Sequence, residues 1–257
     1  MGDDRGMKYF TVSFDDGLEQ DKRIIQLMNQ YGIKGTFNLN AGVFGLQGYI
    51  KRIGNIGFQD TEVRKKFLLW DGVEHYRIPE DEIAQVYAGQ EIASHGYMHE
   101  NMRKLGYEKA KESISRDIEK LTEISGYEIM GFAYPFGMTS PAIKKALQEL
   151  GIVYARRVGN SHRFTVGADP LSYVPTTAIT DKKLDQILDA FILADGRETD
   201  LLFYMWGHGY EMDYGNDFCS YRHLEQIFNK VAGKEDITFV TNIEAFLRIG
   251  KTYAQGR

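Results

Sequence analysis

The chain has 257 residues, of which 43% are hydrophobic and 26% are charged, and its formal net charge is -5. This length fits one large α/β barrel or two small domains, with a core that needs no disulfide or metal to fold. The net negative charge gives no reason to expect a nucleic acid or an anionic membrane as partner, and the single cysteine, Cys219, excludes an intrachain disulfide.

Short apolar or β-branched runs alternate along the chain with segments whose apolar residues recur at a spacing near 3.6. The runs predict strands at Phe10–Phe14, Thr36–Leu39, Glu91–Ser94, Met130–Tyr134, Ile152–Arg156, Leu201–Met205 and Ile237–Val240. The periodic segments predict helices at Leu18–Tyr31, Glu108–Ser125, Pro141–Leu150, Asp181–Ala194, Tyr221–Val231 and Asn242–Ile249. This alternation predicts an α/β fold with a mostly parallel sheet, closed into a complete or distorted barrel; an open doubly wound sheet is the alternative.

A single domain is predicted over residues 9–257, because no linker divides the chain. Residues 1–8 are predicted to be an N-terminal tail, either native or left over from expression. The stretch 40–77 breaks the rhythm and predicts an insertion after the second strand, of a length that is often functional. The N-terminus lacks the pattern of a signal peptide, so we expect a cytoplasmic protein if the chain is complete and an exported one if it was trimmed.

Polar side chains follow several of the predicted strands at their carboxyl ends, the edge where parallel α/β sheets place active sites. The first strand ends in Asp15 and Asp16. One aspartate at such a turn is equally consistent with capping of the next helix. However, adjacent residues of an extended segment point in different directions, so one carboxylate can bind a metal while its neighbour faces a substrate water. Two close carboxylates also need a cation or a shared proton to relieve their repulsion.

His95 and His99 follow the third predicted strand. A spacing of four residues places both imidazoles on one face of a helical turn, where they can reach one cation. Together with one aspartate they supply two nitrogens and one oxygen, a set that suits zinc or another first-row divalent ion with positions left open for water. No glutamate follows His95, so a general base must come from elsewhere, and the aspartate pair can provide it.

His208 follows the sixth predicted strand. A lone histidine at such a position is more often structural, and Tyr204 and Trp206 can pack around it. Three further histidines lie on segments typical of loops or helix surfaces and have no predicted role: His75, His162 and His223.

The chain resembles the polysaccharide deacetylase family, also called the NodB-homology or carbohydrate esterase 4 family. The segments that carry the resemblance follow the family's order and are 13–17, 95–99, 134–137 and 206–208. The resemblance implies a distorted (β/α)7 barrel and one divalent metal ion. Zinc is the expected metal, with cobalt, nickel or manganese as alternatives. It further implies the following roles: Asp15 as catalytic base, Asp16, His95 and His99 as metal ligands, and His208 as general acid.

Two departures from the family pattern concern the surroundings of the base and of the acid. Many members begin the third motif with an arginine that orients the catalytic aspartate, and Ala133 stands at this position. We therefore expect Asp15 to have a higher pKa than with an arginine beside it. The aspartate of the fourth motif, which pairs with the last histidine, has no clear counterpart; Asp169 is one candidate, and Arg156 and Arg157 lie nearby.

The resemblance implies hydrolysis of the N-acetyl or O-acetyl group of an acetylated carbohydrate. The expected partner is this substrate, with neither a nucleic acid nor a membrane, and the oligomeric state is left open. The third and last motifs supply the predicted substrate-binding residues Tyr134, Pro135, Phe136 and Trp206, although core packing is an equal alternative for each aromatic ring. A backbone N–H near 134–136 is a candidate oxyanion donor. Two other functions stay open. One is hydrolysis of a small non-peptide C–N bond, as in the allantoinase-like relatives, with 40–77 as a lid. The other is a non-catalytic barrel that binds glycans, which the missing arginine supports a little and the presence of both aspartates and all three histidines weighs against.

Overall fold

Parallel strands form the main sheet of the computed structural model, which describes residues 6–51, 72–215 and 217–255. The strands of this sheet are β1 (Lys8–Asp15), β2 (Gly35–Leu39), β5 (Glu91–Ser94), β6 (Gly131–Ala133), β7 (Tyr154–Arg156), β8 (Thr177–Ala178), β9 (Leu201–His208) and β10 (Ile237–Phe239). Their order is β7-β6-β5-β2-β1-β9-β8, and β10 also pairs with β1. This curled, single-domain sheet confirms the distorted (β/α)7 barrel.

Helices surround the sheet. Their bounds are α1 (Gln20–Gln30), α2 (Glu80–Val86), α3 (Met102–Leu105), α4 (Tyr107–Ser125), α5 (Pro141–Glu149), α6 (Leu184–Leu193), α7 (Tyr221–Val231) and α8 (Asn242–Gln255). All the predicted helices are present, and the short α2, α3 and β8 were not predicted. The predicted start at Asp181 is early by three residues, because Asp181 binds the Lys183 N–H outside the helix instead of capping it. Ser140 does cap α5 through the Ile143 N–H.

The alternation of side chains along β1 decides which residues face the barrel interior. Phe10, Val12 and Phe14 belong to the large apolar cluster under the outer helices. Tyr9 belongs instead to a second cluster, and Ser13 hydrogen-bonds side chains of β2 and α8. Since successive residues of a strand point to opposite faces, Asp15 shares the face of Tyr9 and Ser13. The central strand therefore carries Asp15 into the mouth of the barrel, where it is buried.

The described part of the insertion returns to the active edge of the sheet. A 3-10 helix at Ala41–Val43 is followed by the antiparallel pair β3 (Tyr49–Lys51) and β4 (Gly72–Glu74). Residues 52–71 of the predicted insertion lie outside the described residues. After β4 the chain runs along the turn that follows β1, because the Ile78 N–H donates to the Gly17 carbonyl and the Glu19 N–H donates to the Tyr76 carbonyl.

The boundary between a tail at 1–8 and a domain at 9–257 stays a prediction, and Lys8 already belongs to β1. Gly32, Gly126 and Gly151 lie at or just after the ends of helices with positive φ, a conformation that glycine adopts readily. Within the described ranges, no helix combines the length and the apolar character needed to cross a bilayer.

Candidate metal centre and active site

The carboxyl ends of β1, β5 and β9 bring the predicted catalytic and metal-binding residues together. The parallel register pairs Asp15 directly with His208, and the His208 Nε2 lies 3.8 Å from the Asp15 Oδ2. The His95 Nε2 approaches the same oxygen to 3.9 Å. Residues that lie up to 193 positions apart in the chain thus share one pocket, because neighbouring parallel strands end at one edge.

Asp16, His95 and His99 place one potential ligand atom each within 4.8 Å of the other two. The Asp16 Oδ1 lies 3.6 Å from the His99 Nε2 and 4.0 Å from the His95 Nε2. A tetrahedral zinc ion with ligands at about 2.0–2.2 Å holds its ligand atoms roughly 3.3–3.6 Å apart. The two Asp16 distances are close to this spacing, so the residue types and their proximity fit a divalent ion that draws the three ligand atoms closer together.

The chemistry of both histidines suits a metal ligand. The His95 Nδ1 lies 2.7 Å from the Ala133 carbonyl oxygen, so this nitrogen donates and leaves Nε2 with a free lone pair. Burial lowers the pKa of His95 to about 4 and also lowers the pKa of His99. Both rings are therefore neutral near pH 7, which is the protonation state that a metal requires.

Backbone strain concentrates at the same pocket. Asp16, His99 and Phe136 adopt φ values of 83°, 54° and 59°, in the left-handed region that non-glycine residues rarely occupy. Each such residue costs on the order of 1–3 kcal/mol and persists only where its surroundings hold it. Strain at two of the potential ligands and at their aromatic neighbour is a feature typical of functional sites.

Arg156 provides the cation that Ala133 does not. Ala133 and Arg156 are register partners on β6 and β7, and the fully buried Arg156 guanidinium donates to both Asp15 oxygens. The Asn38 amide donates to the Asp15 Oδ1 at 2.8 Å. Burial by itself raises the pKa of Asp15, but the charges of Arg156, His95 and His208 outweigh it and lower this pKa. The expectation that Asp15 lacks a cationic neighbour is therefore wrong, because the arginine comes from the next strand.

Glu211, in the 3-10 helix Gly209–Tyr214, is the partner of His208. Its Oε2 accepts the His208 backbone N–H at 2.9 Å, and its Oε1 lies 3.4 Å from the His208 Nδ1. Burial lowers the pKa of His208, but the carboxylates of Glu211, Asp15 and Asp16 outweigh it and raise this pKa to about 9. Asp169 does not fill this place, because it pairs with Lys144 at the surface.

The four predicted substrate-binding residues differ in exposure. Tyr134 is fully buried and its hydroxyl donates to the Leu171 carbonyl, so the structure assigns its ring to the core and not to the substrate face. Pro135 is buried as well. Phe136 is 56% exposed and packs edge-on against His99. Trp206 is 8% exposed and donates to the Gly159 carbonyl. Phe136 is thus the ring that offers most of its surface.

Two further residues at the site were not predicted. The His75 Nε2 lies 3.1 Å from the Asp16 Oδ2, and the Arg77 Nη2 lies 3.1 Å from the Asp16 Oδ1. Both residues belong to the insertion, and the sequence of the insertion does not indicate where it lies relative to the sheet. Arg156 carried a usable signal, since it ends a predicted strand at the catalytic edge. The only sequence signal for Glu211 was its position three residues after His208.

The structure is a distorted barrel whose active edge carries an Asp-His-His cluster beside a buried aspartate and a further histidine. The profile of the family described as "Polysaccharide deacetylase" matches residues 2–155, which is more than half of the chain. The chain belongs to the polysaccharide deacetylase family. The matched segment contains Asp15, Asp16, His95 and His99, and His208 lies beyond it.

Solved structures with low sequence identity share the fold. A Mycobacterium smegmatis protein described as a polysaccharide deacetylase is 15% identical with a TM-score of 0.60, over 98% of this chain and 93% of the other. A family 4 carbohydrate esterase from Streptomyces lividans, in complex with acetate, is 18% identical with a TM-score of 0.51, over 89% and 90%. The peptidoglycan deacetylase PdaC from Bacillus subtilis is 15% identical with a TM-score of 0.52, over 96% and 94%. No curated protein matches the sequence.

Proposed function

We propose that the chain is a metal-dependent deacetylase that hydrolyses the N-acetyl or O-acetyl group of a carbohydrate. The observation that carries this proposal is the position of Asp15. This carboxylate lies 3.9 Å from a histidine of the potential metal site and 3.8 Å from His208. A base held between a Lewis-acid site and a proton donor is the arrangement that hydrolysis of an acyl group needs.

Asp16, His95 and His99 would hold the divalent ion. Zinc suits their two nitrogens and one oxygen best, with cobalt, nickel and manganese as alternatives. When bound, a divalent ion supplies Lewis acidity to the attacking water and to the acyl oxygen. Three protein ligands would leave the ion accessible to water or substrate, as in catalytic zinc sites.

Asp15 is the general base in this proposal. Arg156 and Asn38 fix the orientation of its carboxylate, and its lowered pKa keeps it ionised at neutral pH. An ionised carboxylate accepts the proton of the water as the oxygen attacks the carbonyl carbon. The low pKa weakens Asp15 as a base, and the correct protonation state and fixed geometry compensate for this.

His208 is the general acid. A pKa of about 9 leaves its imidazole charged at neutral pH, so it carries the proton that a departing amine requires. The Glu211 carboxylate faces Nδ1, which leaves Nε2 directed towards Asp15 and the reaction centre. His208 thus holds the proton at the atom that faces the scissile bond.

The loop Pro135–Gly137 supplies the remaining interactions. The Tyr134 N–H already donates to the Arg156 carbonyl, and proline has no N–H, which leaves the Phe136 N–H as the candidate oxyanion donor. The exposed Phe136 ring would pack against a sugar ring of the substrate. The idea of a non-catalytic barrel loses its support, because Arg156 replaces the missing arginine.

A substrate panel tests this proposal. The purified protein, loaded with zinc, is incubated with N-acetylated chitooligosaccharides, peptidoglycan fragments, acetylated xylan and allantoin. We expect acetate release from at least one carbohydrate and none from the Asp15→Asn variant, which should keep its metal because Asp15 is not a ligand. Consumption of allantoin without release of acetate from any carbohydrate would contradict the proposal and favour a small-molecule hydrolase.

A further inference from the structure

Asp16 has two contacts on the side that faces the insertion. Its Oδ1 is directed towards His95 and His99, and the Arg77 Nη2 also reaches this oxygen, at 3.1 Å. Its Oδ2 lies 3.1 Å from the His75 Nε2. Both carboxylate oxygens are therefore engaged, but only Oδ1 is directed towards the two histidines. The Asp16 Oδ2 therefore contacts His75, while Oδ1 faces the two histidines of the potential metal site.

Arg77 also holds the strained backbone of Asp16. Its Nη1 donates to the Asp16 carbonyl at 2.5 Å and to the Asn40 Oδ1 at 2.7 Å. The Asp16 N–H donates to the Asn38 carbonyl at 3.0 Å, so both sides of this left-handed residue are fixed. A guanidinium suits this task because its donors form a rigid planar fork.

The insertion fixes His75 and Arg77 by ordinary strand-like pairing. The His75 N–H donates to the Gly48 carbonyl at 2.8 Å, and the Arg77 N–H donates to the Leu46 carbonyl at 3.0 Å. Two residues that are two positions apart in an extended segment point to the same side. The Tyr210 ring packs on His75 at 5.6 Å. Both side chains therefore reach Asp16 with little freedom to move.

We propose that His75 and Arg77 are positioning residues for the metal ligand Asp16, so that the insertion belongs to the outer shell of the metal centre. This proposal rests on the proposed function, because it presumes that Asp16 binds an ion. Among the described residues, the set of mutually close ligand atoms contains Asp16, His95 and His99 but not His75. His75 thus orients a ligand and is not a fourth ligand. Partners of this kind typically contribute about 10- to 100-fold in metal affinity.

Zinc titration of the metal-free protein, against a competing chromophoric chelator, tests the His75 half. His75→Phe keeps a ring against Tyr210 but cannot donate to Asp16, and we expect zinc affinity to fall about 10- to 100-fold with a retained stoichiometry. His75→Gln keeps a donor and should recover part of the loss. His162→Phe is the matched control, because His162 pairs with Asp181 and has no contact with the ligand set. Unchanged affinity in His75→Phe would overturn the proposal for His75.

Arg77→Met tests the other half, because two physical effects have opposite signs there. Removal of a positive charge beside the site would tighten zinc binding, whereas loss of the clamp on Asp16 would weaken it. We expect weaker binding; tighter binding would overturn the positioning role of Arg77. If Arg77→Met does not fold, Arg77→Lys, which keeps the charge but loses the fork, should still bind zinc more weakly. A wild-type protein that binds no zinc would refute the proposed function itself, and this outcome is distinct from equal binding by wild type and variants.

Discussion

His95 and His208 face the same carboxylate oxygen of Asp15 from almost equal distances, yet their protonation is opposite. Burial lowers the pKa of His95 to about 4, whereas nearby carboxylates raise that of His208 to about 9. The difference lies in the partner of the far nitrogen, which is the neutral Ala133 carbonyl for His95 and the Glu211 carboxylate for His208. One type of side chain therefore suits the proposed role of metal ligand or the proposed role of acid, according to the group that its far nitrogen faces.

The largest expected effect comes from His95→Ala. This change removes one of the three proposed ligands, so the protein should lose zinc binding and hydrolysis of every substrate, amide and ester alike. Elemental analysis after zinc loading, together with acetate release, checks this. Full metal content in a folded His95→Ala variant would remove His95 from the metal site.

His208→Ala should slow the hydrolysis of an amide far more than that of an aryl ester, whereas His95→Ala should abolish both. An amine leaves only when it is protonated, whereas the phenolate of an aryl acetate leaves without a proton. We expect a loss of about 10²- to 10⁴-fold on an N-acetylated sugar and a much smaller loss on an aryl acetate, with unchanged zinc content. Equal losses on both substrates would show that His208 is structural.

Arg156→Lys keeps a positive charge beside Asp15 but replaces the rigid guanidinium, whose Nη2 donates to both Asp15 oxygens, with a flexible ammonium group. Misplacement of a catalytic group costs roughly 10²-fold in rate, so kcat should fall by about this factor. The acid limb of the pH profile should also move upward, because a less stabilised carboxylate protonates more readily. Wild-type kcat together with an unmoved acid limb would show that Arg156 does not tune the base.

Glu211→Gln should have the smallest effect and the clearest dependence on pH. The pKa of His208 is raised in the folded protein, so its charge stabilises the fold fully below its unfolded pKa, and this contribution disappears as pH rises through about 9. Loss of the Glu211 carboxylate should lower the free energy of unfolding of the metal-free protein by about 1–2 kcal/mol near pH 6, and much less above pH 9. Denaturant unfolding at both pH values checks this, and a loss independent of pH would contradict it.

The sequence predicted the parts of the site that follow from strand register. Asp15, Asp16, His95 and His208 lie within three residues of the ends of predicted strands, and parallel strands that end at one edge bring their last residues together. The family motifs then gave each residue a role, and these individual roles stay predictions. The fold and the family membership are confirmed.

The supporting residues were not predicted, although Arg156 ends a predicted strand at the same edge of the sheet. Many family members have an arginine at the position of Ala133 on β6, whereas here Arg156 on the neighbouring strand β7 supplies the guanidinium. Only the pairing of Ala133 with Arg156 in the sheet shows that the two positions lie side by side. His75 and Arg77 belong to an insertion whose path depends on tertiary contacts. Tyr134 matched a motif, but a motif does not tell which side of the chain the ring takes, and the ring lies in the core.

The central claim is that a metal ion held by Asp16, His95 and His99 enables hydrolysis of an acetylated carbohydrate. The most direct test is to strip the protein with a chelator and follow acetate release from the best carbohydrate of the panel while zinc is added back in steps. We expect activity to rise linearly and to level off at about one equivalent per chain, whereas Asp16→Asn should stay inactive at this zinc level. Full acetate release by the stripped protein, or no dependence on added zinc, would contradict the account.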